Sequence, residues 1–149
     1  MILTAAQIEQ VPATQLGWVD HFYKSCGEKV RCGRRDRVYI LRQSAPILAA
    51  ARLLPVPERW LLRNLTVAPS HRRRGLARQL MQALLQQHSN LPLCCYALAE
   101  LEGFYRSLGF TRSLVEQHPA EITQPFMRYR ESGRTFVLMA YWPEAKTYV

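Results

Sequence analysis

The sequence predicts a mixed α/β fold in which strands outnumber helices. Three short apolar or β-branched runs, at 37–43, 47–55 and 59–69, are separated only by SAP and PVPE, a spacing typical of strands joined by tight connections. Apolar residues then recur every four positions from Leu76 to Leu84, which predicts one apolar face on a helix. The order of these segments indicates an antiparallel meander followed by a strand-helix-strand crossover.

An N-terminal helix is predicted over residues 12–26. Pro12 suits the start of a helix and Gly27 its end. The apolar residues between them that follow the helical spacing are Leu16, Val19, Phe22 and Tyr23.

The second half of the chain predicts further strands and one short helix. Residues 91–99 (LPLCCYALA) are apolar throughout, as expected for a strand buried on both faces. LEGFYRSLGF resembles a short helix that ends at Gly109. PFMRYR and RTFVLMAYW flank ESG, so we expect the last two strands to form a hairpin that closes the sheet.

Length and composition predict one soluble globular domain over residues 1–149. The chain is 48% hydrophobic and 21% charged, which is the balance of a folded domain rather than a disordered one. No apolar run approaches the roughly 20 residues that a membrane span requires. The first residues lack the basic start and apolar stretch of a signal peptide, so we expect the protein in the cytoplasm and away from the membrane.

The cysteines and the net charge indicate which kinds of ligand the protein could bind. The four cysteines, Cys26, Cys32, Cys94 and Cys95, form no CxxC pair, so we expect reduced thiols and no metal site, with the adjacent pair packed in a strand. The formal charge is +9, from 20 Lys and Arg against 11 Asp and Glu. This balance favours an anionic ligand, which could be nucleic acid, an anionic surface or a polyphosphate.

The segment SHRRRGLA, at 70–77, lies where a predicted strand ends and a helix begins. The first turn of a helix leaves backbone N–H groups unpaired, and the helix end carries partial positive charge. Gly75 lets a ligand approach this backbone without a Cβ in the way. An isolated arginine triplet is usually a solvated turn, but this position predicts a phosphate-binding loop. Neither GK[ST] nor GxGxxG occurs, so a Walker loop and a dinucleotide fold are not expected.

Two motifs in sequence order, VAPSHRRRGLA at 67–77 and FYRSLGF at 104–110, resemble the GNAT superfamily of acyl-CoA N-acyltransferases. Arg72, Gly75 and Ala77 match the family's loop pattern. The resemblance implies a mixed, mostly antiparallel central sheet flanked by helices, with the acetyl-CoA cofactor in a cleft between splayed central strands, often beside a bulge. By resemblance, the residues that bind acetyl-CoA are Leu65, Thr66, Val67, Arg72, Arg73, Arg74, Gly75, Leu76, Ala77 and Arg78, with the pyrophosphate on the loop amides and the pantetheine arm on the strand.

The resemblance also implies catalytic chemistry. Tyr105 falls where the family usually places a tyrosine that protonates the departing CoA thiolate. The alternative is an aromatic residue packed on a short helix, and the same residue could do both. Many relatives carry Asn seven residues earlier, where this chain has Leu98. The strand RWLLRNLTV lacks the carboxylate that some relatives use as general base, and the amine still requires one. The weak candidates for that base are Glu58, Glu100, Glu102 and His118.

The expected function is transfer of an acetyl group from acetyl-CoA to a primary amine of an unidentified acceptor, without a metal. A non-catalytic acyl-CoA-binding module is the first alternative. An RNA- or DNA-binding surface, built from the triplet with Arg31, Arg34, Arg35 and Arg37, is the second. We expect the N-terminal helix, the loop at 26–37 and the segment 115–130 to grip the acceptor. A homodimer is possible through the exposed sheet edges and the aromatic last strand.

Overall fold

The computed structural model describes residues 7–88 and 91–143. Its strands are β1 (Gln7–Gln10), β2 (Arg37–Arg42), β3 (Ile47–Val56), β4 (Arg59–Val67), β5 (Leu93–Leu98), β6 (Thr111–Arg112) and β7 (Phe136–Tyr141), and its helices are α1 (Leu16–Ser25), α2 (Leu76–Gln87), α3 (Glu102–Ser107) and α4 (Ala120–Glu131). The strands follow one another in the sheet in the order β1-β2-β3-β4-β5-β7-β6. The predicted mixed sheet with flanking helices is thereby confirmed.

The chain forms two compact units. The first contains the described residues up to Leu54 together with Arg63–Gln87, and the second contains Pro55–Leu62 together with the described residues from His88 onward. Both β3 and β4 contribute residues to each unit. The sequence-based expectation of a single domain stays a prediction.

The first unit is built on antiparallel strands covered by α1. β2 pairs with β1 on one side and with β3 on the other, both antiparallel. One face of α1 is buried, as the helical spacing of its apolar residues predicted. The buried residues are Leu16, Val19, Phe22 and Tyr23. The fully or nearly fully buried core that these elements share comprises Val19, Phe22, Tyr23, Val38, Ile40 and Ala50.

The second unit contains the parallel pair of the sheet. Trp60–Leu62 of β4 pair in parallel with Leu93–Cys95 of β5, whereas β7 pairs antiparallel with β5 along its whole length and with the two-residue β6. Cys94 and Cys95 are buried free thiols in β5, as predicted. The Tyr96 ring of β5 stacks on Phe126 of α4, with 6.0 Å between ring centroids.

The predicted C-terminal hairpin is wrong. PFMRYR lies inside α4, and β7 pairs with β5 and β6 instead of with a strand at 125–130. Ile122 and Phe126 are buried four residues apart, which is the helical spacing, and α4 tolerates Pro125 in its interior although proline removes one helical hydrogen bond. Burial of this apolar face therefore outweighs the cost of that proline.

The remaining elements agree with the sequence within a few residues. The predicted N-terminal helix, the three strands of the meander, the helix after Gly75, the strand at 91–99 and the short helix before Gly109 are all present. The short strands β1 and β6 were not predicted. Across residues 7–88 and 91–143, none of the helices has the length and apolar character needed to cross a membrane.

Candidate functional site

Strand β4 carries a local backbone distortion at Asn64. Its φ of 56° is in the left-handed region, which asparagine tolerates better than most residues and which interrupts regular strand geometry. The hydroxyl of Tyr23, which is fully buried, donates a hydrogen bond of 2.8 Å to the Asn64 carbonyl. The Arg52 guanidinium donates to the Asn64 side-chain oxygen at 2.9 Å. Side chains of α1 and β3 therefore hold this irregular segment in place.

The three residues of β4 that were predicted to bind the ligand come directly after Asn64 in the chain. Leu65 and Val67 are half-buried, whereas Thr66 is buried. The Thr66 hydroxyl lies 2.8 Å from a carboxylate oxygen of Glu28. The Thr66 side chain is thus engaged within the protein, on the opposite face of the strand from its two neighbours.

The arginine-rich loop is open and irregular. A short 3₁₀ turn at Pro69–His71 leads into Arg72, Arg73, Arg74 and Gly75, all of which are exposed. Arg73 and Gly75 both have left-handed backbone conformations, with φ values of 66° and 75°. The Arg72 side chain donates a long hydrogen bond of 3.3 Å to the Val67 carbonyl. Within the described parts of the chain, none of the three arginines forms an ion pair.

Gly75 is the residue at which the loop becomes helix α2. Its carbonyl accepts the N–H of Gln79 at 3.0 Å, so the N–H groups of Leu76, Ala77 and Arg78 precede the first intrahelical donor. A Cβ built on Gly75 would have no neighbour within 4 Å. The loop therefore offers an open approach to the positive end of a helix, which suits a phosphate or pyrophosphate group.

Tyr105 lies in a closed environment on α3. Only 8% of it is exposed, and its ring makes edge-to-face contacts with Phe104 and Phe110, with centroids 5.2 and 5.4 Å away. Burial raises the pKa of the Tyr105 hydroxyl well above its ordinary value of 10. The phenol is therefore protonated throughout the physiological range, which is the state that a hydrogen-bond donor requires.

None of the four weak candidates for a general base lies in an environment that favours this role. Glu58 and Glu100 are exposed. Arg112 and Arg106 lower the pKa of Glu102 to about 2, which makes its carboxylate a weak base. Burial and the neighbouring Arg59 lower the pKa of His118.

The hydrogen bond at His118 also argues against that residue as a base. Arg59 can only donate, and its guanidinium lies 2.9 Å from Nδ1 of His118. Nδ1 is therefore the acceptor, and the proton of the neutral ring is on Nε2. The lone pair of Nδ1 is thus engaged by Arg59, and Nε2, which carries the proton, has no lone pair to offer, so the ring has none free to accept a proton.

Sequence reasoning missed Glu28. Its half-buried side chain contacts Thr66, 38 residues further along the chain. The only local signal is its place directly after Gly27, the residue that ends α1, and that signal alone gives no reason to pair Glu28 with a strand.

Two cavities lie in the regions expected to grip an acceptor. One, of about 610 Å³, is formed by the end of α1 and the following loop and is lined by Asp20, His21, Lys24, Gly27, Glu28, Lys29, Val30 and Arg31. The other, of about 660 Å³, is formed by residues 112–116, by Phe126 and Arg130 of α4 and by residues 133–138. Each cavity belongs to a single unit.

The residues considered for nucleic-acid binding and for a metal site form no distinct site among the described residues. Arg31, Arg34 and Arg35 are exposed in the loop after α1, and Arg37 is half-buried at the start of β2. No group of three or more His, Cys, Asp or Glu side chains within residues 7–88 and 91–143 is arranged to hold a metal ion. Leu98, at the end of β5, is exposed.

Comparison with known proteins decides the family. Residues 34–112, more than half of the chain, match the family model described as "Acetyltransferase (GNAT) domain". The chain belongs to the GNAT acetyltransferase family. The matched range includes both the arginine-rich loop and Tyr105, and it confirms the resemblance inferred from their motifs. No curated protein matches the sequence.

Solved structures share the GNAT fold. The ribosomal-protein-S18-alanine N-acetyltransferase from Escherichia coli has a TM-score of 0.67 and 20% identity, with 97% of this chain and 100% of that chain covered. Escherichia coli ElaA has a TM-score of 0.66 and 19% identity, covering 92% and 99%. An N-acetylglutamate synthase from Neisseria gonorrhoeae, complexed with coenzyme A and L-arginine, has a TM-score of 0.66 and 10% identity, covering 94% and 34%. At these identities the likeness concerns the fold.

Proposed function

We propose that this GNAT protein is an N-acetyltransferase that transfers the acetyl group of acetyl-CoA to a primary amine of an acceptor. The amine attacks the thioester carbonyl directly, and backbone N–H groups near the end of β4 stabilise the oxyanion. The observation that carries the proposal is the open, left-handed glycine at the start of α2, in a chain of a family that uses acyl-CoA donors.

In this proposal, the backbone of the arginine-rich loop supplies most of the affinity for acetyl-CoA. A hydrogen bond to a charged group contributes about 1.5–3 kcal/mol, while an exposed ion pair contributes roughly 0–1 kcal/mol. The N–H groups of residues 75–78 hold the pyrophosphate, and the exposed side chains of Arg72, Arg73 and Arg74 attract and screen it. Leu65, Thr66 and Val67 offer backbone groups of β4 to the pantetheine arm.

Tyr105 assists the departure of coenzyme A. Its raised pKa keeps the phenol protonated, but full proton transfer to a thiolate, whose conjugate acid has a pKa of about 8.5, runs uphill. The hydroxyl therefore donates a hydrogen bond to the developing thiolate, and the proton that finally rests on sulfur is one that the acceptor nitrogen loses. We expect this contribution near the low end of the roughly 10²–10⁴ that general acids provide.

Two measurements test the proposal. Acetyl-CoA at about 100 times its dissociation constant should stabilise the protein by about 2.7 kcal/mol and raise its melting temperature. A thiol reagent should then detect coenzyme A release across a panel of primary amines. If neither occurs, the proposal fails.

Two other outcomes would assign a different function. Stabilisation by acetyl-CoA without coenzyme A release would favour a non-catalytic binding module, as the exposed Leu98 in place of the usual asparagine would suit. A steep salt dependence of RNA or DNA binding, with no effect of acetyl-CoA, would favour nucleic-acid binding.

A further inference from the structure

We propose that Glu28 is the general base that takes the proton of the acceptor's ammonium group, in the cavity at the end of α1. This inference rests on the proposed function, because it concerns the same reaction. It supplies the carboxylate that strand β4 itself lacks, from a loop that only the fold brings to that strand.

The reaction requires such a group for its proton balance. A primary amine is mostly an ammonium ion at neutral pH, and its nitrogen has no lone pair with which to attack. The nitrogen loses two protons on the way to the amide: one before attack, which frees the lone pair that forms the C–N bond, and one as the C–S bond breaks. Glu28 accepts the first and passes it to water, and the departing sulfur is neutralised by the second.

The backbone fixes Glu28 at the end of α1. The Gly27 N–H donates to the Lys24 carbonyl at 3.0 Å, and the Glu28 N–H donates to the Tyr23 carbonyl at 3.0 Å. These are the two hydrogen bonds of a Schellman motif, and they require the left-handed conformation that Gly27 adopts with φ 82°. The glycine that ends the helix therefore also aims the next side chain at β4.

Among the described residues Glu28 forms no ion pair, although cationic side chains line its cavity. Lys24, Lys29 and Arg31 line the same cavity, yet in the described parts of the chain none of them forms an ion pair with Glu28. The other carboxylate of the cavity, Asp20, accepts the Cys32 N–H at 2.7 Å. Each of the two carboxylates therefore has one oxygen without a described hydrogen bond. What distinguishes Glu28 is its contact with Thr66 of β4, the strand on which the proposal places the acyl donor.

The contact with Thr66 suits both protonation states of Glu28. A hydroxyl has one proton, and Thr66 Oγ1 lies 2.8 Å from Glu28 Oε2 but 3.3 Å from the Asn64 carbonyl. With Glu28 ionised, Thr66 donates to the carboxylate. When the other oxygen, Oε1, takes the amine's proton, Oε2 becomes the carbonyl oxygen of a carboxylic acid and still accepts the Thr66 hydroxyl. The network therefore keeps its hydrogen bonds as the base is loaded and unloaded.

Comparing kcat/KM for two small amines distinguishes whether Glu28 acts as a base or has only a structural role. The two amines are similar in size, but ethylamine is far more basic than hydrazine. At a pH above the pKa of hydrazinium and below that of ethylammonium, hydrazine is mostly neutral, whereas ethylamine must still be deprotonated. Glu28→Gln should lower kcat/KM for ethylamine by about 10²-fold or more and for hydrazine by less than about 10-fold, with acetyl-CoA affinity unchanged. Thr66→Val, which removes the hydroxyl and keeps the carboxylate, should affect both amines alike and by less.

Equal losses with the two amines, or no loss with ethylamine, would overturn the proposal. If Glu28→Gln fails to fold, Glu28→Asp replaces it, because the shortened carboxylate should still cost ethylamine more than hydrazine. Wild-type protein that acetyl-CoA does not stabilise, and that releases no coenzyme A with any amine of the panel, would contradict the proposed function itself. An active wild type with an unselective Glu28→Gln would contradict only the assignment of the base.

Discussion

The arginine-rich loop and the tyrosine helix α3 are opposite kinds of environment. Residues 72–75 are exposed, have two left-handed backbone conformations and meet open space at Gly75. Tyr105, in contrast, is enclosed by Phe104 and Phe110. Substitutions in the loop should therefore change ligand binding with little effect on folding, while substitutions at Tyr105 should affect folding first and chemistry second.

The largest effect should come from removing the Tyr105 ring. Truncating a large aromatic side chain in a core costs about 3–5 kcal/mol, so Tyr105→Ala should lower the free energy of unfolding by about that amount. Urea denaturation followed by circular dichroism measures it. Arg73→Ala is the matched control from the exposed loop, and it should stay within about 0.5 kcal/mol of wild type. Similar losses in the two variants would contradict the contrast.

Removing only the Tyr105 hydroxyl should reveal its chemical role. Tyr105→Phe keeps the ring contacts with Phe104 and Phe110, and we expect it to lower kcat by about 10²-fold, near the low end for general acids. The KM for acetyl-CoA should stay within about twofold. Steady-state kinetics with an efficient acceptor provide the measurement, and an unchanged kcat would remove the hydroxyl from the mechanism.

The smallest effect concerns the ion pairs that tie α3 to β6. Glu102 lies 2.7 Å from Arg112 and 2.9 Å from Arg106, which lower its pKa from 4.5 to about 2. A lowered pKa contributes stability above pH 4.5 that is lost as the pH falls towards 2. Melting curves should show Glu102→Gln slightly less stable than wild type at pH 7 and equal to it near pH 2. A gap that persists at pH 2 would assign the contribution to packing.

What the sequence predicts well is local. The loop before α2 follows from a strand, a glycine and a helical repeat within 20 residues, and α3 follows from a short aromatic segment closed by Gly109. The sequence predicts a strand where α4 lies, because Pro125 and the ESG segment resemble boundaries of a hairpin. The burial of Ile122 and Phe126, four residues apart, stabilises a helix instead.

The parts that sequence could not predict depend on distant contacts. Glu28 and Thr66 are 38 residues apart and meet only because α1 packs against the sheet. Strand β6 has two residues and exists through its pairing with β7. No local pattern specifies such contacts, since a hydrogen bond between remote residues leaves no periodic signal.

Calorimetric titration of acetyl-CoA into Gly75→Val and Arg73→Ala tests the central claim most directly. Valine at φ 75° is strained and its side chain would occupy the open approach to the helix end. We predict a loss of at least about 10-fold in affinity for Gly75→Val, corresponding to one charge-assisted hydrogen bond, and less than about 5-fold for Arg73→Ala. Both variants must retain the wild-type circular dichroism spectrum. An equal or smaller loss at Gly75 would contradict the claim that the loop backbone holds the coenzyme.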